Sequence, residues 1–246
     1  MTTSEPRTLI SFILDESASM GSCWQAAISS FNEYIADRRK EPNTYITLTT
    51  FNTAGRKVRY TAKPAVDVED LTDKTYIPAA NTPLYDAVAE TIRETEKADQ
   101  QDDVLVVILT DGEENSSVEI RSAEVLKKII EAKTKEGWTF AYVGSVQDPW
   151  AVAGAMGIAN AVAYAPTAAG TSSAMAGLST ATSNWAGSNV MRRASGGPRL
   201  MASASVFDGH TSIDDVVANP VPPIAPSSVG SSKPKKETLR EWANRK

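Results

Sequence analysis

The sequence predicts an α/β fold, Rossmann-like, with a doubly wound, mostly parallel sheet and one antiparallel edge strand. Short β-branched, apolar segments alternate with amphipathic helical segments, which is typical of right-handed strand–helix–strand crossovers. The most apolar segment, VLVVILT (residues 104–110), has the unbroken character of a central parallel strand covered on both faces. The strands TYITLTTFN and KVRYTA are separated only by the turn residues NTAG, which predicts a hairpin and hence the antiparallel edge.

The first half of the chain supplies three strands and two helices. Residues 9–14 are too few and too continuously apolar for an isolated helix, so they predict a buried strand. Apolar side chains then recur at helical spacing up to Pro42, which closes the helix: Trp24, Ala27, Ile28, Phe31, Tyr34 and Ile35. After the hairpin, residues 62–81 form an irregular connection. Pro83 suits the first turn of the next helix, whose apolar face comprises Leu84, Ala87, Val88, Thr91 and Ile92.

The second half begins with the central strand at residues 104–110. A helix follows around Val125, Leu126, Ile129 and Ile130, and Gly137 is its expected C-terminal cap. The segment WTFAYVG is then a strand, residues 150–156 a short helix and AVAYA a weak strand. A last helix is expected across residues 172–185.

Composition divides the chain into an α/β domain at residues 1–191 and a flexible tail at residues 192–246. The tail contains NPVPPIAPSSVGSSKP, which offers too little apolar surface to offset the entropy of ordering it. Residues 237–246, ETLREWANRK, could form a short helix with Leu239 and Trp242 on one face. A frayed terminus is favoured over a docking peptide there.

Charge and rare residues exclude several classes of function. The net charge is −5, and Asp and Glu outnumber Lys and Arg 25 to 16 in residues 1–191, which makes nucleic-acid binding by the domain an unfavoured interpretation. The lone Cys23 permits no disulfide within the chain and is expected to be a buried thiol. The lone His210 lies in the tail, which disfavours histidine-based nucleophilic catalysis. No apolar run approaches the ~20 residues of a membrane span and no secretory signal is recognised, so we expect a cytoplasmic protein without membrane contact.

Oxygen-bearing side chains follow the ends of two predicted strands. Asp15, Ser17 and Ser19 lie in the turn DESASMG, and Asp111 ends the central strand. Thr82 lies just before a helix. Because the carboxyl ends of neighbouring parallel strands share one edge of the sheet, these five side chains can meet there. Two carboxylates and three hydroxyls, with no sulfur or imidazole, favour Mg²⁺ or Mn²⁺ over zinc or copper.

The segments DESASMG, NTPLYDA and LTDGEEN, in this order and strand context, resemble the von Willebrand factor A (VWA) domain with its metal-ion-dependent adhesion site (MIDAS). The resemblance covers roughly residues 5–190, and YAPTAAGTSSAMAGLSTATSNW is similar to the last strand and helix of bacterial and phage members. It implies that Ser17 and Ser19 bind the metal directly and that Thr82 binds it directly or through water. Asp15 and Asp111 would then act mostly through bridging waters.

The resemblance also implies a function. An ion with few charged ligands keeps an open position that attracts a partner's Asp or Glu. An AAA+ ATPase is one partner that the resemblance suggests. One departure is that many members have glycines before the threonine, whereas this chain has Ala79, Ala80 and Asn81. The departure bears on how mobile this loop is.

Simpler interpretations of the same residues remain open. The serines could form a capping turn before the Trp24 helix, and Thr82 could cap the next helix while also binding metal. Glu113 and Glu114 are expected in a solvated loop rather than as further ligands, and Asp86 could stabilise a helix N-terminus through the helix dipole.

Three functions are compatible with these features. The first is a non-enzymatic, Mg²⁺-dependent protein-binding module. The second is a structural or assembly component, such as a phage-encoded one, tethered through its tail. The third and least favoured is a metal-dependent phosphohydrolase, because such enzymes need a second acid where this chain has Ser17 and because no GxxxxGK phosphate loop is present.

Overall fold

The computed structural model describes residues 7–100, 102–145, 147–195, 206–207 and 239–243. Its centre is a six-stranded sheet with the strand order β3-β2-β1-β4-β5-β6. All neighbours are parallel except β2 and β3, which form the antiparallel edge. The strands are β1 (Thr8–Asp15), β2 (Thr44–Asn52), β3 (Gly55–Pro64), β4 (Asp103–Thr110), β5 (Thr139–Gly144) and β6 (Asn160–Ala163). The predicted fold class is confirmed.

Helices cover both faces of the sheet. They are α1 (Trp24–Arg38), α2 (Leu84–Ala98), α3 (Ala123–Lys135), α4 (Pro149–Ala155), α5 (Ala168–Ala194) and α6 (Leu239–Ala243). Helices α1 and α5 pack against each other and bury one hydrophobic cluster on the sheet, whereas α2, α3, α4 and α6 bury a second cluster on the opposite face. The result is a three-layer α/β/α sandwich, in which the central strands β1 and β4 are buried along their whole length.

The ends of α2 and α5 differ from the sequence prediction for reasons that their contacts show. Pro83 is the N-cap of α2 rather than a first-turn residue. Helix α5 is longer than residues 172–185 because Thr167 caps its start by accepting a hydrogen bond from the Gly170 amide, and because the buried Arg192 pairs with Asp103 near its end. Gly137 follows α3 with a φ of 92°, so the predicted glycine cap is confirmed.

The sheet reverses its winding between β1 and β4. The chain leaves β1 toward β2 and β3 on one side, and the later strands are added on the other side. Leu14 of β1 lies beside Leu109 of β4, so these two strands end at the same level. Such a switch point is where open α/β sheets bind ligands, so a ligand would contact the residues that directly follow these two strands.

The opposite, amino edge of the same strands holds ion pairs. Arg7 donates to both carboxylate oxygens of Asp102 at 2.8 and 2.6 Å, and Asp103 pairs with Arg192 and Arg193. Asp102 and Asp103 are almost fully buried. Arginines therefore neutralise the carboxylates at this edge, and Arg7 does so as a two-bond fork on Asp102.

Parts of the C-terminal region lie against the domain. Val206 and Phe207 are buried in the α1–α5 cluster, and α6 buries Leu239 and Trp242 in the opposite cluster. Helix α6 lies within residues 237–246, where the sequence permits a short helix, and its packing differs from the frayed terminus that the sequence favours. His210 and the Pro-rich segment lie outside the described residues, so the flexible tail and the domain boundary at residue 191 stay predictions. Within the described part of the chain, no helix is both long and apolar enough to span a membrane.

Candidate metal site at the carboxyl edge of the sheet

The five predicted site residues lie together at the switch point. Asp15 is the last residue of β1 and is fully buried, and Asp111 directly follows β4. Ser17 and Ser19 lie in the turn after β1, where a short 3-10 helix (Ala18–Ser22) begins. Thr82, which is 3% exposed, lies two residues before α2. Three separate loops thus meet at one point on the sheet edge.

A chain of hydrogen bonds joins four of these residues. The Ser17 amide donates to Oδ1 of Asp15 at 2.7 Å, and the Ser17 and Ser19 hydroxyls are 3.0 Å apart. The Ser19 hydroxyl in turn donates to Oδ1 of Asp111 at 2.6 Å. The hydroxyls therefore lie between the two acids, with their oxygen lone pairs available to a cation.

Gly112 brings Thr82 into this group. A Cβ atom at Gly112 would lie 2.9 Å from the Thr82 hydroxyl oxygen and 3.6 Å from Oδ2 of Asp15. The loop after β4 therefore approaches the Thr82 hydroxyl more closely than a side chain at position 112 would permit, whereas the distance to Oδ2 of Asp15 is an ordinary contact. Nothing in the local sequence distinguishes this glycine, although it directly follows Asp111 in the LTDGEEN motif.

The capping interpretation of the serines does not hold. Ser17 occupies the N-cap position of the 3-10 helix but its side chain accepts no capping hydrogen bond, and α1 also begins without a side-chain cap. Thr82 likewise does not cap α2, whose N-cap is Pro83. The three hydroxyls are therefore not committed to helix ends.

The loop after β4 holds the N-terminus of α2 instead. Glu114 accepts a hydrogen bond from the Tyr85 amide at 2.8 Å, and the Asn115 side chain accepts one from the Thr82 amide at 2.9 Å. Asp86 accepts bonds from three successive amides, those of Val118, Glu119 and Ile120. The expectation of a solvated loop is wrong for Glu114 but agrees with the exposed Glu113. These contacts fix Thr82 relative to Asp111.

Two further residues that sequence analysis missed orient Asp15. The Thr110 hydroxyl donates to Oδ2 of Asp15 at 2.5 Å, and the Tyr76 hydroxyl donates to the Asp15 carbonyl oxygen at 2.5 Å. Thr110 carries a signal in the sequence, because it is the one polar residue of the VLVVILT strand. Tyr76 carries none, since it lies in an irregular connection far along the chain.

The loop before Thr82 is fastened to its neighbours. Ala80 has a φ of 61°, a left-handed conformation that favours glycine, and its carbonyl oxygen accepts a hydrogen bond from the Ala18 amide at 3.1 Å. The Ala79 amide donates to the Glu16 carbonyl oxygen at 2.9 Å, and Asn81 exchanges hydrogen bonds with Thr53. The backbone thus adopts a glycine-like shape here although it has alanine.

The acids carry unneutralised charge. Burial raises the pKa of Asp15 to about 6, against the lowering effect of its hydrogen bonds from Thr110 and Ser17, and burial also raises the pKa of Asp111. Within the described part of the chain, no Lys or Arg forms an ion pair with either acid, whereas the adjacent Glu16 does pair with Arg59. A bound cation would favour the ionised form of both carboxylates.

Comparisons with known proteins bear on the fold. No protein-family model matches the sequence, and no curated protein matches it. The PilB minor pilin from Streptococcus sanguinis superposes with a TM-score of 0.54 at 11% identity, over 73% of this chain and 62% of the pilin; its D319A mutant gives 0.52 at 13%, over 72% and 61%. This chain thus matches less than two thirds of the pilin's length. The crystal structure of the SpRpn10 VWA domain superposes with a TM-score of 0.51 at 11% identity, over 70% of this chain and 94% of that domain.

The chain has the fold of a von Willebrand factor A domain. In this VWA fold the donor set determines which cation the edge could hold. Among the described residues, no three His, Cys, Asp or Glu side chains lie close enough to bind a metal by themselves. A cation here would therefore depend on the Ser and Thr hydroxyls as well as the two carboxylates. An all-oxygen set of this kind fits a hard ion such as Mg²⁺ and does not fit zinc.

Proposed function

We propose that this chain is a non-enzymatic protein-binding module that holds Mg²⁺ or Mn²⁺ at the VWA carboxyl edge and captures an Asp or Glu of a partner protein. The observation that carries the proposal is the pair of carboxylates, Asp15 and Asp111, joined through two hydroxyls and without a described Lys or Arg partner. A buried carboxylate that lacks a cation is costly, and a divalent ion would supply the missing charge.

The ligand roles follow from the donor chemistry and the VWA resemblance. Ser17 and Ser19 would bind the ion through their hydroxyls, with Thr82 binding directly or through water. Asp15 and Asp111 would accept hydrogen bonds from those hydroxyls or from bridging waters, as Asp111 already does from Ser19. Neutral ligands around a dication leave it with excess positive charge, and an incoming carboxylate is the ligand that this charge favours.

The geometry around Asp15 supports binding over phosphoryl transfer. Its Oδ1 accepts the Ser17 amide hydrogen and its Oδ2 accepts the Thr110 hydroxyl hydrogen, so both oxygens are engaged. An aspartyl phosphatase would also need a second acid two residues after its nucleophile, and this chain has Ser17 at that position. We expect no turnover of p-nitrophenyl phosphate with Mg²⁺; turnover that disappears in Asp15→Asn would contradict the proposal.

Metal binding is tested by isothermal titration of MgCl₂ and MnCl₂ into the metal-free chain. We expect saturable binding heat from the unaltered chain, and Asp111→Asn should weaken the metal affinity at least 10-fold. Asp148→Asn is the matched control, because Asp148 lies on the same edge after β5 but caps α4 through the Ala151 amide. Equal binding by both variants, or no heat from the unaltered chain, would contradict a site at this cluster.

Partner capture is tested by co-purification from the native source with Mg²⁺ or with EDTA. A partner that depends on Mg²⁺ and on Asp111 supports the proposal, and mutation of one acidic residue of that partner should release it. A partner retained equally in EDTA contradicts it. An AAA+ ATPase and a cytoplasmic location are the expectations that this experiment also examines.

A further inference from the structure

The C-terminal helix α6, which is distant in sequence from the metal loops, occupies a groove between α2 and α3. It packs against α2 and α3, and its Leu239, Trp242 and Ala243 are each no more than 5% exposed. These three side chains belong to the hydrophobic cluster formed by α2, α3, α4 and the sheet. A five-residue helix that buries most of its apolar surface this way has the character of a docked peptide.

A polar contact fixes the register of this helix. The Trp242 indole donates to Oε2 of Glu96 on α2 at 2.7 Å. Oε1 of the same Glu96 accepts from Lys133 of α3 at 2.7 Å, and Lys133 also pairs with Glu136. Lys133 is 2% exposed and lies over the Trp138 ring. The groove therefore combines an apolar surface with the Glu96 carboxylate as a hydrogen-bond acceptor, and the two together favour an indole side chain.

The chain length before α6 allows it to reach beyond its own domain. Phe207 is buried on the α1–α5 face, whereas Leu239 is buried on the opposite face. Residues 208–238, about 30 in number, join them and can span up to ~100 Å at ~3.3 Å per residue. A domain of this size is only about 40 Å across. The connection is thus more than twice as long as one domain requires.

The distribution of charge also favours contact between the terminal segment and the domain. Residues 233–246 carry six Lys or Arg against two Asp or Glu, whereas residues 1–191 are net acidic. The terminal segment of one copy is therefore attracted to the domain of any copy.

From these observations we infer that the α2–α3 groove is a helix-docking site and that a second copy of this chain fills it with its own α6. The contact seen within one chain and the contact between two chains are the same, which is the condition for exchange of a terminal element between protomers. The inference is independent of the metal site, because none of the contacting residues belongs to it.

The groove is tested with a dye-labelled peptide of sequence ETLREWANRK, in EDTA so that metal binding plays no part. The receptor is the full chain with Leu239→Ala and Trp242→Ala, which releases its own helix. We expect saturable anisotropy for this receptor and at least 10-fold weaker binding to the unaltered chain, whose groove is filled. Absence of binding to the receptor, or equal binding to both chains, would overturn the inference.

Specificity is tested by one substitution in the groove and one matched to it. Glu96→Ala in the same receptor should weaken the peptide at least fivefold, because the indole loses its acceptor while Lys133 keeps Glu136. Glu94→Ala, two residues away on α2 and paired with Lys97, should leave binding unchanged. An equal effect of both variants would overturn the assigned contact.

Exchange between whole chains is tested by mixing two full-length variants. One carries Glu96→Ala and supplies the helix, and the other carries Leu239→Ala and Trp242→Ala and supplies the groove. Sedimentation should give a 1:1 heterodimer that excess ETLREWANRK dissociates. A mixture that stays monomeric at concentrations 10-fold above the peptide Kd would overturn exchange.

Discussion

The two ends of the central strands treat the same residue type in opposite ways. At the amino edge, Asp102 and Asp103 are buried and paired with arginines. At the carboxyl edge, Asp15 is equally buried but receives hydrogen bonds from Ser17 and Thr110 instead of a described cation. The two groups of acids are separated only by the length of β1 and β4.

The difference distinguishes acids that hold the fold together from acids that are available to a ligand. An arginine fork satisfies a buried carboxylate permanently, so the amino edge contributes stability and has no capacity left for a cation. Amide and hydroxyl donors orient Asp15 without neutralising it. We therefore expect mutations at the two edges to have separable effects on stability and on metal binding.

The largest expected effect is on metal affinity. Asp15→Asn should reduce Mg²⁺ affinity at least 100-fold, because the amide keeps the shape of the side chain and removes its charge. Isothermal titration measures this, and Asp102→Asn should leave the Mg²⁺ affinity within about twofold of the unaltered chain. A loss of similar size in both variants would break the distinction between the edges.

The next effect is on stability and has the reverse pattern. Asp102→Asn should lower the free energy of unfolding by about 3 kcal/mol, since it leaves Arg7 without its ionic partner. Asp15→Asn should leave the metal-free protein as stable or more stable at pH 7. Urea unfolding in EDTA gives both values. An Asp102→Asn protein as stable as the unaltered chain would contradict a structural role for the amino edge.

The pH dependence should be of similar or smaller size. Burial raises the pKa of Asp15 to about 6, so between about pH 4 and 6 the folded chain holds a proton that the unfolded chain releases. The metal-free stability should therefore fall as pH rises through this window, by on the order of 2–3 kcal/mol. Urea unfolding in EDTA at pH 4 to 7 measures this dependence of the free energy of unfolding on pH. The dependence should be absent from Asp15→Asn. Saturating Mg²⁺ at pH 7 should restore the stability that the metal-free chain loses.

Substitution at Gly112 should weaken the site without removing a ligand. A methyl group there would meet the Thr82 hydroxyl at 2.9 Å, so Gly112→Ala should displace Thr82 and reduce Mg²⁺ affinity about 10-fold, or ~1.4 kcal/mol. Gly154→Ala is the control, since nothing lies near a Cβ at that position. Unchanged titration of Gly112→Ala would indicate that Thr82 does not contribute.

The smallest effect concerns the loop before Thr82. Ala80→Gly should raise the free energy of unfolding by about 0.5–1 kcal/mol, because relief of the left-handed alanine outweighs the added entropy of the unfolded chain. Thermal unfolding of the metal-free protein measures this. A destabilised variant would show that the Ala80 methyl group makes a compensating contact.

Sequence periodicity was sufficient wherever burial determines an element. The β-branched run of β4 and the i, i+3, i+4 spacing of α1 predicted both elements, and the position of acids after β1 and β4 predicted where the site residues meet. Helix ends set by distant polar contacts were not predictable. The last turns of α5 depend on the pairing of Arg192 with Asp103, and the start of α2 depends on Glu114, which lies about 30 residues away.

The site shows the same division. Asp15 and Asp111 could be located because each ends an apolar strand, whereas the roles of Tyr76 and Gly112 depend on how close separate loops come in space. Local sequence carries no record of such distances, so these residues required the structure.

Helix α2 connects two places that would otherwise be unrelated. It starts two residues after Thr82 and carries Glu96 near its other end, and its 15 residues extend about 22 Å as one rigid segment. If binding at either end of α2 shifts this helix, thermodynamic reciprocity requires an equal change in affinity at its other end. Release of the terminal helix and capture of a partner's acid would then be coupled through α2.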